Sequence, residues 1–199
     1  MEFNVEKCKV MHLGRRNKKF EYRMGDVVLK ETTEEKDLGV WVDHTMKPSI
    51  QCERAAKAAN ATLAMIARAF HCRTKKVLIP LYKTFVRPKL ECSAAAWNPW
   101  LQKDCEVIEK VQQRLIRMIS DVPPGTYEER LRATGLTSLK ERRTRGDAIE
   151  TFKTMRAINR VERGDWFVVR EEEERVWHTR AKTMIVSGEE VGRKEVIVR

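Results

Sequence analysis

The spacing of apolar residues changes once along this chain, near Pro48. Before it, apolar positions come in short runs broken by turn residues; after it, they recur every three or four residues. Residues 8–13 (Cys-Lys-Val-Met-His-Leu) alternate loosely and stop at Gly14, which predicts a strand. A basic turn, Arg15 to Lys19, follows. Residues 20–24 and 27–30 flank Gly25-Asp26, a turn dipeptide between short apolar runs, and predict a hairpin. Residues 37–43 (Asp-Leu-Gly-Val-Trp-Val-Asp) predict a further strand with a glycine near its start.

Past Pro48 the period is helical. Ser49 is placed to cap a helix running to about Phe70 that is rich in alanine (Ala55, Ala56, Ala58, Ala59, Ala61, Ala64, Ala67). From Thr74 to about Val86, Leu78, Leu81, Tyr82 and Phe85 share one face; Pro80 predicts a kink or division, and Pro88 the end. Trp97-Asn98-Pro99-Trp100 reads as a turn. A helix from Lys103 to Ser120 carries the stripe Val107, Val111, Leu115, Met118 and Ile119, and Val122-Pro123-Pro124-Gly125 closes it. A short helix, 127–134, stops at Gly135. Ser138, with Glu141 three residues on, predicts a capping box on a helix to about Arg160, interrupted at Gly146. From 164 onward there is an acidic run, Glu171 to Glu174, and few apolar residues until 183–186, which predicts a weakly structured tail.

The fold class expected is therefore α+β, mainly α. A small β-hairpin region (1–46) precedes a helical bundle (47–121), further helices (122–163) and a poorly ordered tail (164–199). A β piece this small usually packs on something larger. Its abrupt start, with Phe3 and Val5 in mid-element, reads as a fragment, or as a gene whose upstream half is missing.

Composition sharpens the functional question. The chain has 199 residues, 42% hydrophobic and 35% charged, enough for a real core and unlike a disordered composition. Its net charge of +11 and pI of about 9.6 favour a polyanionic partner, nucleic acid first. A membrane surface is the rival, but no helix with a clean Lys/Arg face stands apart in the sequence. The cysteines (Cys8, Cys52, Cys72, Cys92, Cys105) form no CxxC pair, and no apolar leader or membrane-length run appears. Free thiols in a reducing compartment, nucleus or cytoplasm, are the simplest account. His12, His44, His71 and His178 lack the paired spacing of a zinc site.

Several stretches, in order, resemble the reverse transcriptases of LINE-type (non-LTR) retrotransposons. Phe3-Asn4-Val5-Glu6-Lys7-Cys8-Lys9-Val10-Met11 looks like the palm motif that follows the family's catalytic Asp-Asp strand. Glu34-Glu35-Lys36-Asp37-Leu38-Gly39-Val40 looks like its primer-grip hairpin. Leu81-Tyr82-Lys83 through Val86-Arg87-Pro88-Lys89-Leu90-Glu91 to Trp97-Asn98-Pro99 is similar to the thumb signature. Leu131 to Gly146, especially Leu139-Lys140-Glu141-Arg142-Arg143-Thr144-Arg145-Gly146-Asp147, resembles the segment after the thumb. The likeness covers about 3–160. Cys92 stands where the family has Tyr, and Thr179-Arg180-Ala181-Lys182 where it has Thr-Arg-Gly-His.

The resemblance implies an RNA-directed DNA polymerase region that grips primer-template without sequence preference, alongside palm and fingers lying upstream. Such enzymes join nucleotides with two metal ions held by carboxylates. This chain has no Asp-Asp pair, and the Glu-Glu pairs at 34–35, at 128–129 and in the acidic run resemble no paired-carboxylate strand. The expectation is thus no catalysis and no cofactor by this chain alone, with Mg²⁺ belonging to the intact polymerase. Lys7 would lie near the incoming nucleotide's phosphates in the intact enzyme, neutralising charge or protonating pyrophosphate; otherwise it is a solvated lysine on a strand. Leu38, Gly39 and Val40 would form the primer grip, or a β-bulge with no ligand. Arg54, Lys57 and Arg68 would line the template-primer minor groove. Lys140, Arg142, Arg143 and Arg145 form the densest basic cluster, either for phosphate or as a solvated helix start. Trp97 and Trp100 either stack on a base or anchor the bundle. Two other readings stand: a host-acquired helical module that binds protein through the 102–120 helix, and a non-functional remnant.

Overall fold

A computed structural model describes residues 4–14 and 16–160, together with the strand Val196–Val198. β1 (Lys9–Met11) pairs in parallel with β4 (Lys30–Glu31) and antiparallel with β7 (Val196–Val198), in the order β4-β1-β7. Apart from β7, a β-branched run that the sequence reading passed over, the tail beyond 160 lies outside the described residues. β2 (Arg23–Met24) and β3 (Val27–Val28) form the hairpin expected about Gly25-Asp26. Cys8, Val10 and Leu29 make a small core of their own, with Val5, Tyr22 and Met24 against it.

Residues 37–43, expected as a single strand, instead span the turn of a hairpin, with a strand on either side of it. β5 (Glu34–Asp37) and β6 (Val40–Asp43) pair antiparallel with Asp37 opposite Val40. Leu38 (φ 45°) and Gly39 (φ 91°) make the two-residue turn, and both take the positive φ that primed turns need. Glycine adopts this freely; leucine does so at a cost of about 1 kcal/mol. Gly39 therefore serves the turn and is no bulge.

α1 runs over Ser49–Ala69. Pro48, not Ser49, occupies its N-cap; the Ser49 hydroxyl donates instead to Asp104 Oδ2 at 2.6 Å. α2 (Lys75–Leu81) continues through a five-residue π turn (Tyr82–Val86) into α3 (Arg87–Glu91), so Pro88 does not end the segment. Pro88 has no N–H for the Thr84 carbonyl, and its ring crowds that oxygen. The wide turn relieves the crowding, and the Arg87 N–H reaches back five residues to the Tyr82 carbonyl. The extra residue rotates the face: Leu78, Tyr82, Val86 and Leu90 are buried, while Phe85 is exposed.

α4 (Ala94–Trp97) and α5 (Gln102–Met118) follow, then α6 (Tyr127–Thr134), which opens on a capping box between Thr126 and Glu129. α6 ends at Gly135 in the left-handed conformation that glycine favours. α7 (Leu139–Met155) starts with Ser138 Oγ accepting from the Glu141 N–H at 3.1 Å; it passes through Gly146 unbroken and stops short of Arg160.

One apolar cluster joins all of this, from Cys52 and Leu63 of α1 through Leu78, Val86 and Leu90 to Ile108, Leu115, Leu131 and Leu139. Inside it Gln112 is 1% exposed. Its Oε1 accepts from Tyr82 Oη at 2.7 Å, and its Nε2 donates to Tyr127 Oη at 3.1 Å and the Thr137 carbonyl at 3.0 Å. Glu109 accepts from Tyr127 Oη and, at 3.1 Å, from the Leu139 N–H at the start of α7. Two further bonds set α1 against α5: Ser49 to Asp104, and Arg114 Nη1 to Asn60 Oδ1 at 2.9 Å. Both bonds advance along the two chains in the same sense, so α1 and α5 run parallel, side by side for about 15 Å.

Candidate nucleic-acid interface

The β5–β6 hairpin is fastened to the first turns of α1. The Trp41 N–H donates to Gln51 Oε1 at 2.9 Å, Arg54 Nη2 donates to Glu34 Oε1 at 3.0 Å, and the Arg54 guanidinium lies 4.7 Å from the Trp41 ring centroid. Val40 packs on the main core. Lys9 Nζ meets Glu35 Oε2 at 2.5 Å, tying β1 to β5 and holding the Glu35 carboxyl below its usual range. At the hairpin's tip Leu38 is 94% exposed, the most uncovered large apolar residue described. Of the proposed grip residues, then, Leu38 and Gly39 face solvent and Val40 is half-buried.

α1 buries Cys52, Ala55, Ala56, Ala59, Leu63 and Ile66. By the 3.6-residue period, Arg54, Lys57, Ala61, Ala64 and Arg68 lie opposite that face, and all five are exposed. The alanines leave a low floor between cations, where a sugar-phosphate chain can come close. This face meets the hairpin through Arg54, at Glu34 and Trp41.

No known family, curated protein or solved structure matches this chain.

The dense cluster at the start of α7 does not act as one patch. Successive helical residues point about 100° apart, so four basic residues within six positions are scattered around the axis. Lys140 and Arg145 are exposed. Arg142 is engaged by Glu91, Nε to Oε1 at 2.5 Å and Nη2 to Oε2 at 3.0 Å, which raises its pKa further. Arg143 is 4% exposed, and its Nη1 and Nη2 have no hydrogen-bond partner. It lies near Cys52, whose thiol is pushed up to about 12 by burial and the Asp104 charge. Arg143 is thus an interior cation and offers nothing to phosphate at the surface. A cleft of about 360 Å³ between α4 and α7 is lined by Arg142 and Arg143 but also by Glu91, Asp147 and Glu150, a mixed set ill-suited to a polyanion.

Lys7 is exposed in a short 3-10 turn, Val5–Lys7, just ahead of β1 and not on a strand. Trp97 is buried, its indole N–H donating to the Cys92 carbonyl at 2.8 Å, and so anchors the bundle. Trp100 is 67% exposed. Among the described residues, no three His, Cys, Asp or Glu side chains are grouped to hold a metal ion, and no helix is long and apolar enough to cross a membrane.

One feature escaped the sequence reading. The exposed side of α5 carries Lys103, Lys110, Arg114 and Arg117 in one row. The signal was present in the seven-residue repeat of Lys103, Lys110 and Arg117, which a search for adjacent basic residues does not register.

Proposed function

We propose that this chain is a nucleic-acid grip, the thumb and adjoining palm edge of a LINE-type reverse transcriptase, holding primer-template through α1 and the β5–β6 hairpin. The observation that carries this reading is the outward face of α1: Lys57 and Arg68 exposed around Ala61 and Ala64, with Arg54, exposed but held by Glu34 and Trp41, where that face meets the hairpin. Such a face meets phosphates and sugars, not base edges, so the grip is blind to sequence. On this reading nucleotide transfer, and the Mg²⁺ it needs, would belong to the Asp-Asp strand of an intact polymerase, a pair that this sequence does not contain. Lys7, free at the surface, keeps the role of a phosphate-facing lysine in the assembled enzyme. The rival idea of a protein-binding module acting through the 102–120 helix is disfavoured, because that helix spends Ile108, Val111, Leu115 and Ile116 inside the core.

The test is binding of the full chain to a fluorescently labelled RNA–DNA hybrid across a salt series. Each phosphate neutralised on a duplex contributes about −0.9 to the slope of log K against log salt. Replacing Arg54, Lys57 and Arg68 with Gln should therefore flatten the slope by about 2 to 3. A salt-independent affinity, or a slope unmoved by these substitutions, refutes the reading.

A further inference from the structure

We infer that α5 supplies a second binding rail beside α1, and that the ligand is a nucleic-acid duplex held along both of its strands. This rests on the reading of α1 as a nucleic-acid grip and extends it to residues that no resemblance singled out.

Four observations carry it. Lys103, Lys110, Arg114 and Arg117 are all exposed, and the helical period puts them within one narrow sector of α5. The one acid at the edge of that sector, Glu106, accepts a hydrogen bond from Gln102 at 3.1 Å and forms no ion pair with the row. The row adjoins the α1 face directly, because Arg114 reaches across the seam to Asn60 at 2.9 Å. The two helices run parallel, their axes about 8–10 Å apart as is usual for packed helices, so their cations form two rows side by side.

Single-strand binders combine a charged groove with aromatic platforms on which bases stack. The exposed faces of α1 and α5 hold no aromatic side chain: α1 presents Arg54, Lys57 and Arg68 over alanines, with Glu53 at the edge, and α5 presents its row of four cations. What these faces recognise is charge at a fixed separation, which two phosphodiester strands provide and one flexible strand does not. A membrane surface fits less well, since an interfacial helix sets apolar side chains beside its cations. Ile108, Val111, Leu115 and Ile116 of α5 are sealed in the core, Val107 and Met118 are partly buried against it, and Met65 is the lone large apolar residue exposed on the described α1 face.

The experiment compares the full chain with two triple variants. One neutralises α5 (Lys103→Gln, Lys110→Gln, Arg117→Gln), leaving the Arg114–Asn60 bond in place. The other neutralises α1 (Arg54→Gln, Lys57→Gln, Arg68→Gln). Each is titrated by fluorescence anisotropy with a labelled RNA–DNA duplex, with either strand alone, and with anionic lipid vesicles, at several salt concentrations. Circular dichroism and thermal melts verify the fold. The α5 variant should bind duplex at least tenfold more weakly, its salt slope flatter by about 2 to 3, while Lys103→Arg with Lys110→Arg binds like the original. If the α5 variant keeps the original affinity and slope while the α1 variant weakens, the second rail is refuted and the grip on α1 stands. Single-strand binding as tight as duplex binding, or vesicle binding that exceeds duplex binding, overturns the inference. If neither variant changes a salt-dependent affinity, the α1 reading fails as well.

Discussion

Removing the Gln112 side-chain amide should cost far more than its single position suggests. In Gln112→Leu, four hydrogen bonds vanish, the weakest a 3.5 Å contact to Glu109 Oε1, and their losses differ. The Thr137 carbonyl belongs to an exposed residue and can turn to water, and Tyr127 Oη keeps Glu109. Tyr82 is 0% exposed, and its hydroxyl has Gln112 as its partner. Burial pushes that hydroxyl's pKa up, so it stays protonated and keeps needing an acceptor. One orphaned buried donor costs about 1–3 kcal/mol, so Gln112→Leu should destabilise by about 2 kcal/mol. Tyr82→Phe should cost a similar amount, about 1–2 kcal/mol, because it orphans Gln112 Oε1. The double variant leaves neither group stranded and should lose less than the sum by about 1–2 kcal/mol. Urea unfolding followed by tryptophan fluorescence, with equal slopes across the four proteins, measures the cycle. Additivity within about 0.5 kcal/mol would show that the two side chains do not depend on one another, and the network described for the core would be wrong.

Two further outcomes follow from local geometry. Leu38→Asn should raise the melting temperature, equivalent to about 0.5–1 kcal/mol, since asparagine tolerates the left-handed conformation; an unchanged or lower value would mean that the turn is not as described. Stability should fall as pH rises through the alkaline range. The Cys52 thiol ionises near 9.0 when unfolded but near 12 in the fold, so the unfolded chain releases its proton first, at a cost of up to about 1.4 kcal/mol per pH unit. Tyr82 and Tyr127, both also pushed upward by burial, add to the loss above 10.0. Cys52→Ala should remove the decline between pH 9 and 10, and melting curves that are flat over that interval in the original protein contradict the burial argument.

The helices were legible where period and punctuation agreed. Thr126, Glu129 and Gly135 bracket α6 with a cap at each end, and the sequence bounds match the structure. The errors arise where a local rule had a competitor. Leu38-Gly39 is a turn, but leucine is so unusual at positive φ that the segment read as a strand. Pro88 looked like a stop because the widened turn before it leaves no mark in composition. Ser49 is a good cap residue, yet the buried Asp104 competes for its hydroxyl. Gln112 and Arg143 are polar residues in helical sequence, which local pattern assigns to solvent; only the packing of α5, α6 and α7 puts them inside. Of the candidate interface, the α1 face was readable from alanine and cation spacing. The α5 row needed the third dimension, since its membership depends on which side of that helix the core takes.

The widened turn at Tyr82–Val86 decides what a change in length would cost this helix. A π turn is an α-helix holding one residue more than its hydrogen-bond ladder needs. Loss of one residue there, such as the exposed Phe85, would bring Leu78, Tyr82, Val86 and Leu90 to intervals of four, three and four, the ordinary repeat of an amphipathic helix. Loss of a residue near the middle of α5 would turn everything after it by about 100° and tear its stripe from the core. Shortening by one residue at the widened turn would thus keep the buried face but set Pro88 back against the carbonyl four residues before it, at a cost of about 3 kcal/mol, whereas shortening α5 would lose the face itself.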